Sequence, residues 1–158
     1  MLSTGTPPDW ARLDVAVPHP SGQLPGISMA GFRQRAPALW DIAMVAHPSV
    51  TLLVDLSEGE GPVYDIPGRR ERGSVVAGLL PGDLRAAGWG RVDCLQIRLE
   101  PVAAAAVLGA STELSGAVVS LEDVWGSDAR RAEDRLRAAA SWDERFTIVA
   151  EILGRRLD

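Results

Sequence analysis

The chain predicts an α+β fold, an antiparallel β-barrel or curved sheet followed by a C-terminal helical hairpin. Three observations lead there. Up to about residue 100, short β-branched runs alternate with Gly and Pro turns, and no helix of adequate length separates successive runs. From residue 101 onward, apolar residues recur at helical spacing between cap signals. Strands in one block and helices in the next fold as an antiparallel sheet with helices behind it, which argues against a doubly wound parallel sheet.

Residues 1–25 carry Pro7, Pro8, Pro18, Pro20 and Pro25 with little periodicity, and read as an irregular arm with one short turn near 9–13. ISMAGFRQR, from Ile27, reads as a strand, whereas LWDIAMVA (39–46) fits strand or helix. In SVTLLVDL (49–56), Val50, Leu52, Val54 and Leu56 fall on one face by alternation. A turn cluster at 57–62 precedes a short strand, Val63–Ile66, and then PGRRERG, which reads as a loop. SVVAGLL (74–80) is a further β-rich run, closed by Pro81-Gly82-Asp83. After residues 84–87, Gly88-Trp89-Gly90 reads as a bend leading into a strand over 91–99. On that strand Leu95, Ile97 and Leu99 share one face, and Cys94, Gln96 and Arg98 the other.

The helical half is punctuated by its caps. Pro101 suits the first helical position, VAAAAVL propagates the helix and Gly109 stops it. Ser120 and Asp123 have cap-like spacing before Trp125-Gly126, and Ser127 is placed to cap a helix running to about Ala139. Ser141 and Glu144 form a capping box for the last helix. On it, Trp142, Phe146, Val149 and Leu153 make one apolar stripe.

With 158 residues, 46% hydrophobic and 23% charged, one soluble globular domain is the expectation. The start carries neither the basic end nor the apolar core of a secretory signal. Cys94 is the only cysteine, so no internal disulfide can form and a reducing cytoplasm is the expected location. All basic side chains are arginines and asparagine is absent, a bias expected of a GC-rich genome such as that of many actinobacteria. The net charge of −5 speaks against direct grip on a phosphate backbone. From 128 onward seven Arg are matched by seven Asp or Glu, as on a solvated helix face.

The stretch CLQIRLEPVAAAAVLG, then LEDVWG, then SWDERF closely resembles, in wording and order, the end of the N-terminal regulatory domain of AraC-type transcription regulators. MAGFRQRA (29–36), HPSVTLLVDL (47–56) and GSVVAGL (73–79) are similar to earlier strands of that domain. The resemblance covers 26–158, β-rich over 26–100 and helical over 101–158. It implies a cupin-like barrel that senses a small-molecule effector and forms a homodimer through its helices. A DNA-binding helix-turn-helix domain normally follows in that family. This sequence contains none, so DNA would be reached only through a domain outside it.

The candidate residues follow from these placements. Trp40 and Trp89 sit near strand ends, where indoles suit a flat apolar ligand or simple packing. Arg33 and Arg98 interrupt strand patterns. Turned inward, either could pair with an anionic ligand; turned outward, each covers apolar surface with its stem. Gln96 shares the face, and so the fate, of Arg98. Trp125 and Trp142 are expected in the core, and Cys94 as a small buried hydrophobe. Ile152 and Leu157 are the candidate dimer contacts. His19 and His47 are the only histidines and neither has a ligand-spaced partner, so no metal, no cofactor and no catalytic residue is expected. The readings left beside effector sensing are a small cupin-like metal-dependent enzyme and a pure dimerisation module.

Overall fold

The computed structural model describes residues 13–20, 24–34, 38–44, 50–57, 63–66, 69–78, 84–90, 93–109 and 118–157. Ten strands and four helices are found among them: β1 (Leu13–Ala16), β2 (Ile27–Gln34), β3 (Ala38–Met44), β4 (Val50–Asp55), β5 (Val63–Ile66), β6 (Arg69–Arg72), β7 (Val75–Ala77), β8 (Leu84–Gly90), β9 (Asp93–Leu99), β10 (Val118–Ser120), α1 (Pro101–Leu108), α2 (Leu121–Trp125), α3 (Ser127–Ala138) and α4 (Trp142–Leu157). All pairing is antiparallel. One sheet has six strands in the order β1-β2-β9-β4-β7-β10, and the other four in the order β3-β8-β5-β6. Antiparallel sheets followed by a helical hairpin are the expected fold class. No helix among the described residues is long and apolar enough to cross a membrane.

The alternation read from the sequence builds the core. Met29 pairs with Ile97, and Leu52 with Ile97 on the other side; Ile27 and Val50 flank Leu99 in the same way. These side chains form one face of the larger sheet and are buried in a single cluster with Val107, Leu121, Leu136, Phe146, Val149 and Leu153 of the helices. Leu52, Leu95, Leu99, Leu121 and Leu153 have no accessible surface at all. Burying each such side chain contributes about 1.5–3 kcal/mol, so this face holds the helices to the sheet.

Several expectations change. Residues 13–16, read as part of an irregular arm, form β1 and pair with β2 from Leu13↔Gln34 to Ala16↔Gly31. Pro18 and Pro20, which follow β1, lie beyond the paired backbone and take no donor from it. The turn near 9–13 lies outside the described residues except for Leu13. Of LWDIAMVA, residues 39–44 fall in strand β3, and 45–46 lie outside the described residues. PGRRERG, read as a loop, contains β6, a hairpin partner of β5. Gly88-Trp89-Gly90 is part of β8, with Trp40↔Gly88 and Ala38↔Gly90 in register, because glycine accepts extended backbone when a neighbour supplies the ladder. Gly126, at φ 61, takes the cap position of α3, so Ser127 is inside the helix and caps nothing.

The other caps stand. Ser120 Oγ accepts from Glu122 N at 3.2 Å. Ser141 Oγ accepts from Glu144 N at 3.1 Å, while the Glu144 carboxylate accepts from Ala140 N at 2.9 Å, one residue earlier than in the standard box. Trp125 is buried, with Nε1 donating to Val107 O at 3.3 Å and the Arg156 guanidinium 4.5 Å over its ring.

Candidate ligand-binding face

Because β-strand side chains alternate, strands β2, β4 and β9 have a second face turned away from the helices. Register fixes its rows. Ser28, Arg98 and Thr51 form one row, Ala30, Gln96 and Leu53 the next, and Phe32, Cys94 and Asp55 the last. The first row is open, with Ser28 exposed and Arg98 and Thr51 half-buried. The last is closed: Cys94 and Asp55 are buried, and so is Tyr64 of β5 in the second sheet.

At the open end Arg98 is gripped by its strand neighbour. With the Gln96 amide turned so that its oxygen faces the guanidinium, that oxygen accepts from Arg98 Nε at 2.8 Å and Nη2 at 3.2 Å. Both bonds use the side edge of the fork, and among the described residues no acceptor meets its end edge. Among the described residues no carboxylate pairs with Arg98. At the closed end the Tyr64 hydroxyl and the Cys94 thiol are hydrogen-bonded to each other. Burial, with the Asp55 charge adding to it, pushes the Cys94 thiol up to about 12; the Tyr64 bond acts in the opposite sense. Tyr64 is raised well above its usual value, chiefly by burial, then by Cys94 and Asp55. Cys94 is therefore a thiol, as its reading as a small buried hydrophobe requires.

The opposite face of the same strands carries the tie to the helices. Asp93, at the start of β9, receives two bonds from Arg145 of α4, Nη1 to Oδ1 at 2.9 Å and Nη2 to Oδ2 at 3.1 Å. Arg145 is buried, its Nε donates to Leu136 O at 3.1 Å, and its guanidinium lies 4.5 Å from the Trp142 ring. Trp142 in turn packs closely against Gly31 of β2, where a Cβ would fall 2.6 Å from its Cη2. Close by, Ser74 Oγ donates to Glu133 of α3 at 2.7 Å and accepts from Asp55 N, and Arg137 donates to Asp55 O at 3.1 Å. Helix spacing placed Trp142 and Phe146 on the buried stripe. Arg145, three residues after Trp142, shares that side, and this spacing was the available signal for its burial.

Arg33 lies apart from Arg98. It is in register with Asp93 and donates to its Oδ2 at 3.2 Å, on the helix side of the sheet. An acid directly across the strand captures it, so it does not join Gln96 and Arg98. Trp40 and Trp89 occupy β3 and β8 at positions of opposite parity, Trp40↔Gly88 and Leu39↔Trp89, and their side chains lie outside the described residues. Ile152 and Leu157 are half-buried against the main core. Ile152 also lines a groove of about 410 Å³ between α3 and α4, edged by Arg131, Arg135, Arg155 and Arg156. Asp128 and Glu151 answer three of these four arginines at 3.2, 2.8 and 3.2 Å, so half of that charge is internally offset. His19 is exposed, 4.0 Å from Asp143, and His47 lies outside the described residues. Among the described residues no three His, Cys, Asp or Glu side chains group as metal ligands.

No protein-family model matches the sequence, and no curated protein does. Among solved structures the chain is similar to a cupin superfamily protein from Desulfitobacterium hafniense DCB-2. That match has 17% identity and a TM-score of 0.41, over 63% of this chain and 94% of that one. It is also similar to a cupin 2 domain-containing protein from Halorhodospira halophila, with 14% identity and a TM-score of 0.38, over 56% of this chain and 63% of that one. Neither bears on ligand, partner or reaction.

Proposed function

We propose that this chain is the non-catalytic effector-sensing and dimerisation domain of an AraC-type transcription regulator, working in the cytoplasm. The observation that supports this best is the double duty of β9. Asp93 at its start holds α4 through Arg145, and Gln96 and Arg98 farther along stand on the face away from the helices. A small molecule held at Gln96 and Arg98 strains or stiffens the same strand that anchors the helical pair. Binding then favours one of two settings of α3 and α4 against the sheet, provided the ligand prefers one setting. The hairpin, through the part of Ile152 and Leu157 that the core leaves uncovered, passes that preference to a second copy and to attached DNA-binding domains.

The experiment pairs two measurements. A compound that raises the melting temperature of the chain, found by screening cytoplasmic metabolites and antibiotics, is expected to change transcription from the promoter upstream of the gene. A binder with no transcriptional effect contradicts the regulator reading, and catalytic consumption of the binder contradicts the non-catalytic one. Sedimentation of the purified chain is expected to show a dimer that an Ile152→Arg/Leu157→Arg variant converts to monomer.

A further inference from the structure

We propose that the ligand of this face is a small aliphatic or aromatic monocarboxylate, its carboxylate held end-on by Arg98. This rests on the effector reading above and names the chemistry that the face selects. Gln96 occupies the side edge of the Arg98 fork, through Nε at 2.8 Å and Nη2 at 3.2 Å. With the side edge taken, the end edge presents two parallel N–H donors that match the two oxygens of a carboxylate, and among the described residues no acceptor meets it. Ser28 and Thr51 flank Arg98 directly across the strands and bring a hydroxyl to either side.

Charge and closure narrow the ligand further. Arg98 is the only cation among the described residues on this face of β2, β4 and β9, so a phosphate dianion would stay half-compensated. Toward the other end the face turns apolar, with Ala30 and Phe32 half-buried and Leu53 and Cys94 buried. It ends at Asp55, a buried acid that repels a second negative charge. From the Arg98 row to the Cys94 row the strand rises roughly 13 Å, which limits the body behind the carboxylate to a short chain or one ring.

The test uses three acids, benzoate, phenylacetate and octanoate, each beside its primary amide, titrated by calorimetry into the full chain at neutral pH. The amide keeps the shape and removes the charge. At least one acid is expected to bind roughly ten- to a hundredfold more tightly than its amide, the range set by a charge-assisted bidentate contact. Arg98→Gln is expected to erase that preference, and Arg98→Lys, which keeps the charge without the fork, to retain only part of it. Arg130→Gln, on the exposed side of α3, should leave it unchanged. The proposal is overturned if amides bind as well as acids, if either Arg98 variant keeps the full preference, or if none of the three acids binds. In each of those results, a neutral compound from the wider screen that binds and changes transcription leaves the effector reading standing. Silence from that screen as well removes both.

Discussion

Removing Asp93 should destabilise this protein more than removing its partner, because the two side chains have different alternatives. Arg145 is 6% exposed and Asp93 18%. In Asp93→Ala the guanidinium keeps only the Leu136 carbonyl and the Trp142 ring, a buried cation without a counter-charge. That situation costs about 3–5 kcal/mol. In Arg145→Met the apolar replacement fills the slot, and Asp93 retains Arg33 at 3.2 Å and some water. The loss of the charge-assisted bonds then costs about 1–3 kcal/mol. The double variant leaves no orphaned charge and should be more stable than Asp93→Ala alone. Ser57 Oγ bonds the main chain of residue 93, through N at 3.0 Å and O at 3.3 Å, so the strand end survives all three substitutions. Urea unfolding followed by circular dichroism and tryptophan fluorescence supplies the four stabilities. A loss below about 1 kcal/mol for Asp93→Ala, or a double variant equal to the sum of the singles, would refute the reasoning.

Other substitutions test neighbouring contacts. Gly31→Ala should cost about 1–3 kcal/mol by forcing the Trp142 ring off β2, and Trp142→Ala in the same chain should recover part of it in thermal melts. Trp125→Phe should lose about 1–2 kcal/mol, since it leaves Val107 O without the indole donor and removes the better ring beneath Arg156. Cys94 binds its proton more tightly folded than unfolded, so its contribution is complete below its ordinary value of 9.0 and is lost as pH rises toward about 12. Cys94→Ala should therefore flatten the alkaline fall of the melting temperature. Native Cys94 should also resist iodoacetamide at neutral pH and react once urea unfolds the chain.

What the sequence made legible is what repeats locally. Alternation in Val50, Leu52, Val54 and in Leu95, Ile97, Leu99 marked the buried face, and Pro101, Gly109 and Ser141 marked helix ends. Strands without such a signature were missed. β6 is written RRER, which carries no apolar alternation, and β10 is too short to show a period. β8 is interrupted by two glycines whose extended state is fixed by β3 across the ladder. The site divides in the same way. Gln96 and Arg98 shared a face by parity alone. Arg33 had the same strand texture as Arg98, and only the register that sets it against Asp93 places it on the other side. The Asp93–Arg145 pair joins residues 52 apart, and Tyr64 meets Cys94 across two sheets. Neither contact leaves a pattern in the chain.

Amide hydrogen exchange over α4, measured with and without a saturating ligand that requires Arg98, tests most directly whether β9 links the binding face to the hairpin. Slower exchange across Trp142–Leu157 on binding, lost in Arg145→Met while the ligand still binds, is the predicted result. Protection confined to β2, β4 and β9, with α4 exchanging as in the free protein, would contradict it.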